Sequence, residues 1–83
     1  MQYIARVKVS LKRGHSDPEG ETTKQSLVEL NYKVKSVKVS KDYEIALEAT
    51  SKEEAVCQVE EMCRRLLANP VKDDYDISLE EIR

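Results

Sequence analysis

The stretch between Ser51 and Pro70 constrains the fold more than any other part of this chain. Ala55, Val56, Val59, Met62, Cys63, Leu66 and Leu67 recur at the spacing of one continuous helix stripe. Both ends are marked. Ser51-x-x-Glu54 is a capping box. Asn69 is placed to adopt a left-handed conformation after the last turn, and Pro70 blocks continuation. Glu60 and Glu61 precede Arg64 and Arg65 by one turn, in the favoured order for helix ion pairs. A stripe this long must be buried against something, and the rest of the chain offers short alternating segments.

Tyr3, Ala5, Val7, Val9 and Leu11 alternate with Ile4, Arg6, Lys8 and Ser10, which predicts a strand with one buried face. Asp17-Pro18-Glu19 supplies an N-cap, a first-turn proline and an acid for a helix running to about Leu30. Gly20, Thr23, Leu27 and Leu30 form its stripe. Two short strands should follow, one with Val37 and Val39, the next with Tyr43, Ile45, Leu47 and Ala49. Ser40-Lys41-Asp42 is the hairpin candidate between them, although it lacks Gly or Asn. Val34 is out of phase with Val37 and Val39, which leaves a bulge or a later strand start open. Tyr75, Ile77 and Leu79 make a last strand. The order βαββαβ predicts one α+β domain over residues 1–83, a ferredoxin-like two-layer sandwich. Two helices would cover one face of a four-stranded, mostly antiparallel sheet. Arg6 and Lys8 would then face Glu44 and Glu48 on the open side, able to pair if their strands are neighbours.

An 83-residue chain whose apolar residues are almost all aliphatic builds a thin core, and such cores need a staple. Cys57 and Cys63 cannot supply one. Within one helix their Cα atoms lie about 9 Å apart, beyond the roughly 7 Å a disulfide tolerates. Cys63 is expected in the core, and Cys57 lies off the stripe. His15 stands alone, so zinc is not expected either. Association with other chains is left as the staple. Residues 1–41 hold nine Lys/Arg against four Asp/Glu, and residues 42–83 hold five against twelve. That split favours pairing between the halves, within or between chains, and the net charge of -2 argues against a nucleic-acid binder. With no long apolar run or leader pattern, and with unpaired cysteines, a cytoplasmic location without membrane contact is expected.

Little here looks catalytic. Tyr3, Tyr43 and Tyr75 are in phase with the buried aliphatics, where an RNA-recognition sheet would need aromatics outside. The loop Lys12-Arg13-Gly14-His15 before a helix start resembles the anion loop of acylphosphatases, which share this topology. A small phosphate-handling enzyme is therefore one rival, and a regulatory module binding a small ligand is another. Against the enzyme, Asp17 already occupies the position an anion would take, and His15 has no acid–base partner in the sequence. Asp73, Asp74 and Asp76 lack the Gly and Glu of a calcium loop and read as charges on a solvated edge. No catalytic, cofactor-binding or metal-ligating residue is assigned.

Two segments carry a family resemblance. Leu11-Lys12-Arg13-Gly14-His15-Ser16-Asp17-Pro18-Glu19-Gly20 resembles the L-K-x-G-x-x-D-P-x-G signature of PurS, the small-subunit family of phosphoribosylformylglycinamidine synthase. Cys63 through Tyr75, with Leu66-Leu67-Ala68-Asn69-Pro70-Val71, resembles the same family's C-x-x-L-L-A-N-P-V-x-x-D-Y. The resemblance spans essentially the whole chain. Two positions depart from it. Asn31 stands where the family often has Gly, and it can keep the helix-ending role because Asn tolerates positive φ. Ser40-Lys41 stands where Gly-Lys is common, with Lys41 and Glu44 still in register.

The resemblance implies a non-catalytic subunit of a purine-biosynthetic ligase complex. That synthase converts formylglycinamide ribonucleotide to the amidine with ATP and glutamine. ATP and Mg belong to its large subunit, and a glutaminase subunit releases ammonia. The small subunit, a homodimer or tetramer, holds the two together. The family motifs make Lys12, Gly14, Asp17, Pro18, Gly20, Lys41, Asn69 and Pro70 the expected interface residues.

Overall fold

The computed structural model describes residues 1–82. In chain order it contains β1 (Gln2–Leu11), α1 (Pro18–Glu29), β2 (Lys41–Glu48), α2 (Lys52–Met62), a π-helical turn (Cys63–Leu67) and β3 (Asp73–Ile82). β1 is the centre of an antiparallel sheet ordered β2-β1-β3. The alternation of β1 is realised as read, with Tyr3, Ala5, Val7 and Val9 buried and Arg6 and Lys8 exposed. Register sets Ala5 opposite Ile45 and Leu79, and Val7 opposite Tyr43 and Ile77, so the three strands share one apolar face. α2 lays Ala55 and Val59 on that face, and the π turn adds Cys63. Burying a side chain the size of Val7 or Val59 contributes about 1.5–3 kcal/mol. On the other face the Arg6 guanidinium meets Glu44 at 2.9 Å, as neighbouring strands allow. Lys8 lies opposite Asp42, and Glu48 lies opposite Gln2.

The sheet has three strands, not the expected four. The segment around Val37 and Val39 joins no ladder, no hairpin forms at Ser40-Lys41-Asp42, and no turn separates the segment from β2. Two features oppose the hairpin, one in the turn itself and one remote in sequence. The turn lacks a residue suited to positive φ, and the Val39 N–H is already given to Asp17 Oδ2 at 2.9 Å. Val34, Val37 and Val39 are each partly buried along this extended run.

α1 also departs from the two-helix layer. Of its predicted stripe, Gly20 is buried and Leu27 partly so, while Thr23 and Leu30 are exposed. α2 and the π turn that continues it cover the sheet. α1 instead extends the molecule into a 51 × 29 × 14 Å body whose radius of gyration is 16.4 Å. A compact chain of this length would have a radius of about 12 Å. The helix is well closed at its far end. Asn31 has φ 73, its N–H reaches Val28 O at 2.9 Å, and the Tyr32 N–H reaches Leu27 O at 3.1 Å. That is a Schellman ending, with Asn in the position usually taken by Gly.

α2 starts as predicted, with the Glu54 N–H donated to Ser51 Oγ at 3.1 Å. The Glu54 carboxylate completes the cap one residue earlier than a capping box would, on the Thr50 N–H at 3.3 Å and the Thr50 hydroxyl. Glu60–Arg64 and Glu61–Arg65 pair at 3.8 and 3.1 Å. The last turn corrects the sequence reading. The Ala68 N–H bonds to Cys63 O at 3.0 Å, a five-residue step that inserts one extra residue into the turn. Leu67 therefore faces the core, and Leu66, expected in the stripe, is 84% exposed. Nor is Asn69 left-handed; Asn31 is the sole non-glycine residue with positive φ among the described residues. Extended backbone at Ala68 ends the helix instead. Both cysteines are free, Cys57 exposed and Cys63 buried.

Candidate partner-docking site

The two family motifs meet at one end of the sheet. Where β1 ends, the Lys12 N–H donates to Lys72 O at 2.7 Å, and Lys12 Nζ lies 3.4 Å from Asp74 Oδ1. The loop beyond closes with the His15 N–H on Lys12 O at 3.2 Å, which Gly14 permits with φ 85. Asp17 then acts as a two-way clasp. Oδ1 accepts from the Gly20 N–H at 2.9 Å, capping α1, and Oδ2 accepts from Val39, holding the extended segment against the helix start. Those N–H groups, Val39 first and Gly20 second, hold the Asp17 carboxyl below the usual carboxylate range against the opposing effect of desolvation. Gly20 is buried, and a Cβ added there would press into the Val37 carbonyl oxygen.

The second motif is held in the same way. Asn69 Oδ1 accepts from the Val71 N–H at 2.9 Å, the Asn69 N–H donates to Asp73 Oδ2 at 2.9 Å, and the Asp73 N–H returns to Asn69 O at 2.8 Å. A hollow of about 220 Å³ lies between the motifs, walled by Asp17, Val39, Lys41, Leu67, Lys72 and Asp73. Lys12 and Gly14 line a second hollow beside it. Lys12, Gly14, Asp17 and Lys41 thus come together around one end, with Gly20 beneath Asp17. Asn69 is linked to them through Asp73. Pro18 and Pro70 are exposed and shape the backbone without lining either hollow.

Sequence reasoning missed Leu66 and Val71, 84% and 75% exposed. Nothing in the heptad spacing separates Leu66 from Leu67. Val71 carried a signal, since it sits in the Asn69-Pro70 motif outside any alternating run. The Asp17, Asn69 and Asp73 side chains of these motifs are engaged in fixing main chain. The buried Cys63 thiol is pushed up by desolvation and by Glu60, with Arg64 opposing. Among the described residues no group of His, Cys, Asp and Glu is arranged to hold a metal ion. No described helix is long and apolar enough to cross a membrane.

Comparison with known proteins agrees with this picture. Residues 4–81 match the family model of PurS, phosphoribosylformylglycinamidine (FGAM) synthase. The PurS subunit of Archaeoglobus fulgidus is 49% identical over 75 residues, covering 89% of this chain and 94% of that one. The Bacillus subtilis PurS subunit is 37% identical, covering 96% of this chain and 95% of its own. The crystal structure of Methanocaldococcus jannaschii PurS superposes with a TM-score of 0.86 at 41% identity, covering 98% of this chain and 99% of that one. A chain in the structure of PurLQS from Thermotoga maritima gives 0.87 at 30% identity, covering 96% and 99%. With the paired motifs at one end and this agreement along nearly all its length, the chain belongs to the PurS family and is the PurS subunit of a phosphoribosylformylglycinamidine synthase, an enzyme of purine biosynthesis.

Proposed function

We propose that this chain is the assembly subunit that bridges the ATP-dependent synthetase and the glutaminase of the synthase, so that ammonia passes between them. ATP and Mg belong to the large subunit, and the complex works in the cytoplasm. One observation carries this reading: the Asp17 and Asn69 side chains, the polar centres of the two motifs, are both engaged in fixing backbone. Such motifs shape a surface. The rival phosphate-transfer reading is disfavoured because Asp17 itself occupies the start of α1. The T. maritima relative in PurLQS supports partners of this kind.

Self-association belongs to the same reading, as a homodimer or a tetramer. α2 and the π turn that continues it cover the sheet, α1 stands away from the body, and Leu30 and Tyr32 at its far end are 66% and 60% exposed. An arm of that shape is stabilised by packing on a second copy. Reconstitution tests the proposal. Glutamine-dependent amidine formation by the synthetase and glutaminase subunits should rise when this chain is added. Equal rates with and without it would refute the bridging role.

A further inference from the structure

We propose that the hollow beside the Lys12–His15 loop is a binding site for a small polyanion bearing a diphosphate group. This goes beyond the assembly role and does not depend on it. The hollow has a volume of about 350 Å³, at the low end of the range for small-molecule sites. Lys8, Lys12, Arg13 and Lys38 all line it, with Asp17 as the one carboxylate among its lining residues. This is a concentration of positive charge on a chain of net charge -2.

The carboxylates nearby do not cancel it. Both oxygens of Asp17 accept backbone N–H groups from Gly20 and Val39, so that carboxylate serves the main chain. Lys12 holds Asp74 at 3.4 Å with both side chains substantially exposed, an ion pair weak enough to yield to a ligand. Lys8 lies between Asp42 and Asp76 in the sheet register and is the most compensated of the four. Arg13 and Lys38 remain, approaching from the loop and from the extended segment, and they are the residues assigned to the anion. Arg13 presents a planar fork suited to two phosphate oxygens, and Lys38 adds a point charge. Ser10 and Ser40 contribute hydroxyls, while Leu11 and Val39 make an apolar wall. The helix start plays no part, since Asp17 caps it. The loop therefore binds an anion without the apparatus to turn it over.

The four cations converge on one hollow of small-molecule size instead of lining a run of surface, which favours a small ligand over an extended acidic chain segment. Sodium pyrophosphate titrated into the full-length, isotope-labelled chain tests this by amide shift mapping up to about 10 mM. The expected result is saturable shifts confined to residues 8–15 and 38–40. Arg13→Ala and Lys38→Ala should each weaken binding about tenfold, while Lys33→Ala, outside the hollow, leaves it unchanged. Thermal unfolding of each variant shows whether the fold is intact. Unsaturable shifts spread over every lysine, or sulfate binding as tightly as pyrophosphate, would overturn the proposal. So would an absence of pyrophosphate binding while Arg13→Ala abolishes assembly with the other subunits, which would make the hollow a protein contact. Failure of the bridging role would leave this result untouched.

Discussion

Replacing Gly20 with Ala sets two effects of known sign against each other. In an ordinary helix interior the change stabilises by about 1 kcal/mol, because Ala loses less backbone entropy. Here a Cβ would press into the Val37 carbonyl oxygen and lie 2.8 Å from Asp17 Oδ2. The carbonyl belongs to main chain and cannot rotate aside, so the 37–39 segment must retreat by roughly 1 Å to restore ordinary separation. Overpacking of this kind costs about 1–3 kcal/mol, which outweighs or cancels the propensity gain. The net effect is a loss of up to about 2 kcal/mol, and each kcal/mol lowers Tm by about 4–8 °C for a domain of this size. The retreat also pulls the Val39 N–H off Asp17, so the Val39 amide should exchange with solvent faster in the variant. Circular dichroism melting and hydrogen exchange together provide the assay. A higher Tm with Val39 protection intact would show that Gly20 is an ordinary helical glycine and that the clasp at Asp17 does not depend on it.

Other expectations are as direct. Leu66→Ser should keep the unfolding free energy within about 0.5 kcal/mol of the parent, whereas Leu67→Ser should destabilise strongly; the reverse order would refute the inserted residue in the π turn. Asn31→Gly should be neutral or slightly stabilising, while Asn31→Ala should cost about 1 kcal/mol, read as a lower Tm. Because hydrogen bonds depress the Asp17 carboxyl in the fold, the stability it contributes is complete above the unfolded carboxylate value of about 3.9. That contribution fades as pH falls through the lower folded value, and Asp17→Asn should flatten this acid limb of the stability profile. Cys63 behaves oppositely. Its thiol is raised by burial, so stability is lost as pH climbs above about 8.5, and a thiol reagent should label Cys57 in the native chain but Cys63 only on unfolding.

Periodicity predicted well wherever burial is one-sided. The alternation of β1 and the stripe of α2 from Ala55 to Cys63 are visible in the residues because each packs one face on a single neighbour. The family motifs could be located too; Asp17 as cap follows from side-chain chemistry, and Asn31 at positive φ from the glycine common at that place in the family, whereas chemistry alone pointed to Asn69. Long-range competition was hidden. Val37 and Val39 have the composition of a strand, but Val39 gives its N–H to a carboxylate twenty-two positions away. Sequence spacing also carries no trace of the extra residue after Met62, so Leu66 was assigned to the wrong side. The meeting of the two motifs through Lys12 and Lys72 is likewise a product of topology, since only the β1–β3 pairing brings those ends together.

The wide turn between Cys63 and Leu67 implies a particular tolerance to length. Deleting Leu66 would let the backbone relax into regular α-helical winding, with Leu67 still directed at the sheet. What would disappear is the outward leucine. A chain shortened by that single step should fold as well as its parent and present a different surface to its partners.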